Sequence, residues 1–370
     1  MAVGRPDGSL PTRTTARSVA PVVHGGAPDG WLDFSANPNP LGAPAVVSRV
    51  VGAVRYDRYA DLDPVHAVHH LAEDAGVDPS ALLLTSGATE GLRLIATQFL
   101  GPDVPAVVIG PTYGEYARVA RLAGAPIIER RAAAPRFDPL IGVAGEVLAD
   151  DRPAVVVIGD PNNPTARPIG ADGHAHLLAA LARRGPALLV IDQSFRPFSR
   201  SPSPDAALLA TGRVILVRSL TKRLGMPGVR LGYVLSARGI VDRLREAQDP
   251  WAVGAHAIAA AGSARWELEP GERETLAAWR ADLVAGLQAR GFLTVPSDAN
   301  YVLVSIGAEA ASLVAHLAGR RIAVRDAASF GLSGLIRLAV RSPRDQSLLF
   351  RAIDEHVATG GQTDDGAGRR

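Results

Sequence analysis

Residues 214–234, VILVRSLTKRLGMPGVRLGYV, decide the fold and the chemistry that we predict for this chain. The stretch begins with an apolar run typical of a buried strand, and polar residues follow at 219–222. Among them is Lys222, the only lysine in the chain, because the other 38 of the 39 lysine and arginine residues are arginine. A lysine amine can lose its proton and form a Schiff base, which a guanidinium cannot do. The single lysine is either a chance survivor or a chemically required amine, and its surroundings favour the amine.

Similar apolar runs occur upstream, at residues 106–110 (AVVIG), 154–159 (AVVVIG) and 187–192 (ALLVID). Their length and composition predict buried strands. Amphipathic stretches such as residues 174–183 lie between the later runs and predict helices. Because strands that alternate with helices typically build parallel sheets, we predict an α/β fold with a large, mostly parallel sheet.

The domain organisation is predicted from length and local composition. At 370 residues the chain exceeds the usual size of one domain, so we expect a large and a smaller one. Residues 1–20 are predicted to be a flexible arm and residues 359–370 a disordered tail. Residues 21–255 would form the large domain, with an N-terminal segment that packs on the small domain. Residues 256–358 would form a smaller α+β domain, with strands at 301–306 and 335–341.

Composition limits the classes of protein to consider. No run of about 18 apolar residues is present, so we predict no membrane span, and the first residues lack the apolar core of a signal peptide. The absence of cysteine excludes disulfides and thiolate chemistry, and it agrees with the cytoplasmic location that we expect. The net charge of +2 comes with scattered basic residues, so we expect no nucleic-acid partner. We assign no residue to a metal.

Polar clusters follow three of the predicted strands, at the ends where sheets of this type bind ligands. Asp-Pro-Asn-Asn-Pro-Thr at 160–165 follows one strand, Asp192 ends the next, and Ser-Leu-Thr-Lys at 219–222 follows the third. Upstream, Thr-Ser-Gly-Ala-Thr-Glu-Gly at 85–91 joins a short strand to a helix, and such a junction offers free N–H groups to a phosphate. An amine, a carboxylate and a phosphate-binding loop are what pyridoxal 5'-phosphate (PLP) requires of a protein.

We therefore predict a PLP site and assign a role to each residue. Lys222 would form a Schiff base with the cofactor aldehyde, and Asp192 would keep the pyridine nitrogen protonated. Asn163 would hydrogen-bond the ring hydroxyl oxygen, and Tyr113 would stack on the ring. The phosphate would bind Gly87, Ala88, Thr89, Ser219, Thr221 and Arg230. Each motif alone is as typical of an ordinary turn or helix start, so the prediction depends on their joint occurrence with the single lysine.

The order of these motifs resembles a known family. Asn-Asn-Pro-Thr, a strand-terminal Asp, Ser-x-Thr-Lys and then Pro-Gly-Val-Arg-Leu-Gly-Tyr at 227–233 resemble the fold-type I PLP-dependent aminotransferase superfamily. The likeness is closest to its branch of histidinol-phosphate aminotransferases and threonine-phosphate decarboxylases, and it covers roughly residues 22–357. It implies a large PLP-binding domain, a small domain and a homodimer.

Within that branch the chain is more similar to the decarboxylases. His24-Gly25-Gly26, the segment LDFSAN at 32–37 and Phe195 match their pattern. The resemblance implies decarboxylation of an amino acid such as O-phospho-L-threonine to an aminopropanol phosphate for cobalamin assembly. It further implies two groups of substrate-binding residues. The α-carboxylate would bind Arg337 and Asn37, and the phosphate would bind His24, Arg325 and Tyr59, with Tyr59 entering from the neighbouring subunit.

Departures from the family pattern bear on the substrate. Gln193 and Ser194 stand where the family usually has Glu and Ala, and Ala166 replaces a usual Gly. The Ser-Phe-Arg run at 194–196 also resembles natural-product PLP enzymes that act on arginine. Three alternatives stay open: an aminotransferase of the histidinol-phosphate type, a natural-product enzyme acting on a phosphonate or another amino acid, and an inactive PLP-fold protein that binds ligands.

Overall fold

The computed structural model describes residues 19–183 and 185–360 of the chain. Most of the predicted arm (1–20) and of the predicted tail (359–370) lies outside the described residues. None of the helices in the described part is long and apolar enough to cross a membrane.

The described residues contain thirteen strands and thirteen α-helices. The strands are β1 (Leu32–Asp33), β2 (Leu82–Thr85), β3 (Ala106–Gly110), β4 (Ile127–Arg131), β5 (Val155–Gly159), β6 (Leu188–Asp192), β7 (Val214–Arg218), β8 (Gly232–Leu235), β9 (Leu293–Thr294), β10 (Tyr301–Ser305), β11 (Ile322–Ala323), β12 (Arg325–Asp326) and β13 (Leu335–Ala339). The helices are α1 (Ala45–Gly52), α2 (Val65–Ala75), α3 (Ala88–Phe99), α4 (Glu115–Leu122), α5 (Ile141–Leu148), α6 (Gly170–Leu181), α7 (Asp205–Ala210), α8 (Leu220–Arg223), α9 (Arg238–Glu246), α10 (Ala255–Ala261), α11 (Glu272–Gln288), α12 (Ala310–Gly319) and α13 (Pro343–Gly360).

The large sheet has seven strands in the order β2-β8-β7-β6-β5-β3-β4. Strand β8 runs antiparallel to β2 and to β7, and the other neighbours pair in parallel. The predicted α/β class with a mostly parallel sheet is therefore confirmed. The carboxyl ends of β3, β5, β6 and β7 lie side by side along one edge, so the polar residues that follow these strands are brought together.

The central strands are buried on both faces, which explains their unbroken apolar sequences. Along β5, alternate residues enter two different cores: Val156 and Ile158 pack on one face of the sheet, and Val155 and Val157 on the other. Strands β6 and β7 alternate in the same way. Helices cover both faces, and the sheet becomes a rigid platform for the loops at its edge.

A second, antiparallel sheet has the order β12-β13-β10-β9, and the two-stranded parallel pair β1-β11 accompanies it. Strand β1 comes from the N-terminal part of the chain, and Phe34 just after it packs in the same core as β10 and β13. The N-terminal segment and the C-terminal sheet thus share a core. The domain boundaries that we drew from composition stay a prediction.

The predicted element ends differ from the observed ones by a few residues. The strand predicted at 335–341 ends at Ala339, the last residue paired with β10, and Arg341 instead donates from Nε to the Asp33 oxygen at 2.7 Å. The helix predicted at 174–183 spans Gly170–Leu181. Its first turn (Gly-Ala-Asp-Gly) has little apolar periodicity, so the sequence pattern does not reveal this turn. An apolar run in the sequence therefore predicts that a strand exists but not the residue at which its hydrogen bonds to the neighbouring strand end.

The contact between β8 and the start of α3 gives a stability prediction. A Cβ on Gly232 would lie 2.7 Å from the Arg218 oxygen and 2.8 Å from the Ala88 nitrogen, and both are backbone atoms. We expect Gly232→Ala to destabilise the fold by about 1–3 kcal/mol, because the backbone must move apart. The urea unfolding midpoint measures this effect.

Gly239→Ala is the matched control. Gly239 lies in α9, and a Cβ there would meet no heavy atom within 4 Å. Its midpoint should stay unchanged or rise, because alanine stabilises a helix by up to about 1 kcal/mol relative to glycine. Equal midpoints for the two variants would contradict the close approach at Gly232.

Candidate active site

One pocket at the carboxyl edge of the large sheet collects most of the predicted site residues. Its wall comes from the loops after β3, β5, β6 and β7, the start of α3, and strands β12 and β13. The predicted residues that line it are His24, Asn37, Ala88, Thr89, Tyr113, Asn163, Asp192, Ser219, Thr221, Lys222, Arg230, Arg325 and Arg337. Gly87 and Tyr59 are the two predicted residues that do not line it.

Lys222 lies in the short helix α8, directly after β7. Burial lowers the pKa of its amine from 10.5 to about 8, and the charges of Arg337 and Arg230 contribute to this lowering against the opposing effect of Asp192. A large fraction of the amine is therefore neutral near pH 8, which is the form that attacks a carbonyl.

Asp192 ends β6 and is buried beside Lys222. Its Oδ2 accepts a hydrogen bond from the Tyr116 hydroxyl at 2.8 Å, and its Oδ1 accepts one from the Ser194 nitrogen at 2.8 Å. Burial raises the pKa of this carboxyl, while Ser194, Tyr116 and Lys222 lower it. A buried carboxylate with neutral hydrogen-bond donors gains from a positively charged partner, and a protonated ring nitrogen is such a partner.

Tyr116 is a site residue that the sequence prediction missed. It is the second tyrosine of Pro-Thr-Tyr-Gly-Glu-Tyr at 111–116, and its ring meets the edge of Tyr113 with centroids 5.7 Å apart. Tyr113 precedes α4 and Tyr116 lies in its first turn, where the Tyr116 nitrogen donates to the Tyr113 oxygen at 3.2 Å. This turn brings the two rings together, so the motif did carry a signal for Tyr116.

The residues predicted to bind the cofactor phosphate lie where α3 begins. Gly87 precedes the helix with φ 78°, a left-handed conformation that glycine adopts without strain. Gly87 does not line the pocket, but a Cβ there would lie 2.7 Å from Nη2 of Arg230, so a larger residue would displace this guanidinium. Helix N–H groups and an arginine together favour an anion.

The two threonines assigned to this end differ in their contacts. Thr89 hydrogen-bonds Tyr113 and lowers its pKa, against the larger raising effect of burial. Thr221 lines the pocket, but its hydroxyl already donates to the Leu231 oxygen and accepts from the Leu231 nitrogen, both at 3.1 Å. Its assignment as a phosphate donor stays a prediction.

Two buried arginines form another part of the wall. Arg325 on β12 and Arg337 on β13 are direct partners across the antiparallel pair. Arg337 donates from Nη1 to the Asn163 Oδ1 and from Nη2 to the Ser35 oxygen, each at 2.5 Å. With its amide oxygen turned toward Arg337, Asn37 accepts from Nε and Nη1 at 3.2 Å.

The paired arginines repel each other in a poorly solvated place. Burial lowers the pKa of Arg337 to about 10, and the neighbouring charge of Arg325 contributes to this lowering. Arg325 donates from Nη2 to the Val23 oxygen and to the Ser329 hydroxyl, both at 2.7 Å. Among the residues that line the pocket, three are arginine, one is Lys222 and one, Asp192, is a carboxylate. Such a wall favours ligands with more than one negative charge.

The remaining predicted residues differ in position. His24 lines the pocket and remains half exposed, with Nε2 3.4 Å from Oε1 of the buried Glu115. Tyr59 is 79% exposed and stacks on Trp251 at 4.7 Å, outside the pocket of its own chain. Its predicted entry into a neighbouring subunit's pocket stays a prediction.

The run at 192–196 alternates between the pocket and the protein interior behind it. Ser194 and Phe195 line the pocket, whereas Gln193 and Arg196 do not. Arg196 instead places Nη1 3.3 Å from Oδ2 of the fully buried Asp160. The Arg196 side chain therefore has a structural partner, and nothing in its position supports the likeness to arginine-modifying enzymes.

Comparisons with known proteins agree with this geometry. A model of the family described as aminotransferase class I and II matches residues 31–354. Histidinol-phosphate aminotransferase 2 of Methylococcus capsulatus is 31% identical over 339 residues, covering 87% of this chain and 89% of the relative. Threonine-phosphate decarboxylase of Salmonella typhimurium is 33% identical over 356 residues, covering 92% and 95%. The crystal structure of histidinol-phosphate aminotransferase from Sinorhizobium meliloti in complex with pyridoxal-5'-phosphate has the same fold (TM-score 0.77, 22% identity, covering 88% of this chain and 90% of that one).

The lowered pKa of Lys222 predicts how the amine reacts with pH. Its rate of reductive methylation by formaldehyde should rise about tenfold per pH unit and level off near pH 8, since only the neutral amine reacts. Because Lys222 is the only lysine, peptide mass spectrometry measures this rate with no signal from other lysines. Arg337→Ala should move the plateau to higher pH by removing a neighbouring charge, and a plateau near pH 10.5 in the unmodified protein would contradict the prediction.

Proposed function

Because the chain belongs to the class I and class II aminotransferase family, we propose that it is a PLP-dependent enzyme that decarboxylates an amino acid carrying a phosphate group. The family resemblance stated from the sequence motifs is thereby confirmed, and with it the fold-type I architecture and PLP as the cofactor. The choice of substrate and reaction is our proposal.

The residues of the pocket fit PLP. Lys222 would hold its aldehyde, Asp192 would bind its ring nitrogen, and the start of α3 with Ser219 and Arg230 would bind its phosphate. When bound, PLP supplies a carbonyl for the substrate amine and a ring that withdraws electrons from the substrate Cα. The fit rests on Asp192, a buried carboxylate whose protein donors, Tyr116 and the Ser194 nitrogen, are neutral.

The observation that carries the proposal is the pair Arg325 and Arg337. Two buried guanidinium groups that face each other across β12 and β13 are best satisfied by a substrate with two anionic groups. An α-carboxylate on Arg337 and a phosphate on Arg325 and His24 meet this requirement. O-phospho-L-threonine is a small amino acid with both groups.

The same pair would select the reaction by orientation. A substrate held at its carboxylate by Arg337 and at its phosphate by Arg325 cannot rotate freely about its Cα. An orientation fixed in this way would favour cleavage of the bond between Cα and the carboxylate, which would leave as carbon dioxide. The amine of Lys222, whose lowered pKa eases loss of its proton, would move a proton at Cα, and Arg337 would hold the carboxylate until it leaves.

A histidinol-phosphate aminotransferase is the second candidate, favoured by the 31% identity to such an enzyme. The phosphate contacts would be the same. Histidinol phosphate has no carboxylate, so Arg337 would have no anionic partner while this substrate is bound. Losing a buried charged contact costs on the order of 2–5 kcal/mol, which weighs against this second candidate.

The proposal predicts that the enzyme with PLP converts O-phospho-L-threonine to carbon dioxide and aminopropanol phosphate without 2-oxoglutarate, as mass spectrometry of the products will detect. Arg337→Ala should lower kcat/KM at least about thirtyfold, because its fork to the carboxylate is lost. Lys222→Ala and Lys222→Arg should lose all turnover, since neither variant offers a neutral amine.

Arg152→Ala is the control for removing an arginine, because its side chain is 87% exposed and outside the pocket. It should keep full activity. A keto product from histidinol phosphate that forms only with 2-oxoglutarate, together with no carbon dioxide from O-phospho-L-threonine, would replace the decarboxylase by the aminotransferase.

We also propose that two copies of the chain form the active unit. A groove lined by Leu62, Val65 and Trp251 runs along the outside of the large sheet, and Tyr59 lies beside Trp251. Tyr59, Leu62, Val65 and Trp251 are 79%, 63%, 50% and 46% exposed, an unusual cluster for large apolar side chains. A two-fold dimer that covers this cluster would bring Tyr59 toward the partner's pocket.

Leu62→Asp should convert the dimer to an inactive monomer, because a buried charge disfavours the interface. Analytical ultracentrifugation at micromolar concentration measures the change. Leu293→Asp is the control and should stay dimeric and active, because Leu293 is 75% exposed and lies in the second, antiparallel sheet. Mixing Tyr59→Ala with Lys222→Ala subunits should also restore activity in part. An active monomer of the unmodified protein would contradict the proposal.

A further inference from the structure

Behind the pocket, the guanidinium of Arg218 joins the ends of two strands that carry the site. Arg218 is the last residue of β7, is only 4% exposed, and does not line the pocket. The next residue is Ser219, and Lys222 follows three positions later. The position of Arg218 thus bears directly on the segment that holds the reactive amine.

Every nitrogen of this guanidinium has a partner. Nε donates to Oε1 of Gln193 at 2.8 Å, Nη1 to the Tyr233 hydroxyl at 3.1 Å, and Nη2 to Oδ2 of Asp205 at 2.5 Å. The charge also lies 4.8 Å from the ring centroid of Trp266. A buried charge is stable only when it is paired and hydrogen-bonded in this way.

Gln193 links this guanidinium to β6. It directly follows Asp192, its backbone nitrogen donates to the Val217 oxygen at 2.8 Å, and its Nε2 donates to Oδ1 of Asp205 at 2.7 Å. The amide is neutral, so Asp205 supplies the negative charge that balances Arg218. A carboxylate at position 193 would place two negative groups against each other.

We propose that Asp205 is a positioning residue for the active site, and that with Gln193 it holds Arg218 so that Asp192 and Lys222 keep their separation. Asp205 lies at the start of α7, outside the pocket, and contacts Arg218 and Gln193, while its Oδ1 also accepts a hydrogen bond from the Ser203 hydroxyl at 2.5 Å. Because Gln193 is a neutral amide, the negative charge beside Arg218 is carried by Asp205. This inference rests on the proposed function of the pocket as a PLP site.

A charge exchange tests the proposal. Asp205→Asn removes the counter-charge of Arg218, and Gln193→Glu adds a second carboxylate beside Asp205. Each single variant should weaken PLP binding about tenfold or more, read as the dissociation constant in an absorbance titration of the apoprotein.

The double variant, Gln193→Glu with Asp205→Asn, exchanges the positions of the carboxylate and the amide. The new carboxylate at position 193 would accept from Arg218, and the new amide at position 205 would donate to that carboxylate. The PLP affinity should therefore return to within about threefold of the unmodified protein, because the two changes compensate each other.

Asp150→Asn is the matched control, because it removes a carboxylate from an exposed pair with Arg152. Its PLP affinity should not change. The thermal midpoint of each apoprotein separates positioning from stability. If Asp205→Asn lowers the midpoint but binds PLP normally, or if the double variant is no better than the single ones, the inference is overturned.

If the single variants do not fold, the double variant alone tests the proposal. A folded double variant with near-normal PLP affinity supports the charge exchange, and an unfolded double variant overturns it. If the unmodified protein does not bind PLP, the proposed function and this inference are both overturned. If the unmodified protein binds PLP but the double variant does not regain PLP affinity, the inference alone is overturned.

Discussion

The site depends on lowering the pKa of one amine in a place where cations are concentrated. Burial lowers the pKa of Lys222 most, and the charges of Arg337 and Arg230 lower it further. Asp192 opposes them, but its own burial weakens its ability to hold a negative charge. The balance needs all four side chains within reach of one another, and the parallel sheet provides this by ending β6 and β7 side by side. The arginines come from elsewhere: Arg230 from the turn before β8, and Arg337 from the second sheet.

That second sheet has a role beyond completing the pocket wall. Arg325 and Arg337 stand on adjacent strands, so the spacing of their backbones is fixed by the ladder and not by flexible loops. Strand β1 pairs with β11, and Ser35 just after it accepts a hydrogen bond from Arg337. The N-terminal segment is therefore part of the arginine pair's support. The same segment supplies His24, so its packing on the second sheet places a histidine at the pocket mouth.

The sequence predicted the large sheet and most of the pocket for a physical reason. Apolar runs identify buried strands, and a parallel sheet must bring the carboxyl ends of these strands together, so Asp192, Asn163 and Lys222 could be grouped without a structure. Tyr116 was missed because only its partner Tyr113 was considered. Val23 and Phe330 line the pocket through long-range packing that leaves no local signal. Ala166 has a left-handed backbone with φ 57°, a conformation that favours glycine, which is the residue expected at this position from the family resemblance.

The directions of the side chains at 193–196 change how the sequence departures should be weighed. In the sequence, Gln193, Ser194 and Arg196 all lie close to Asp192, where any of them could change which substrate binds. In the fold, Gln193 turns to Arg218 and Arg196 to Asp160, so both belong to polar networks behind the pocket. Ser194 alone of the three faces the ligand space, where it also hydrogen-bonds Asp192. The departure closest to the chemistry is therefore one hydroxyl beside the carboxylate, which adds a donor to Asp192 and leaves the charges of the pocket unchanged.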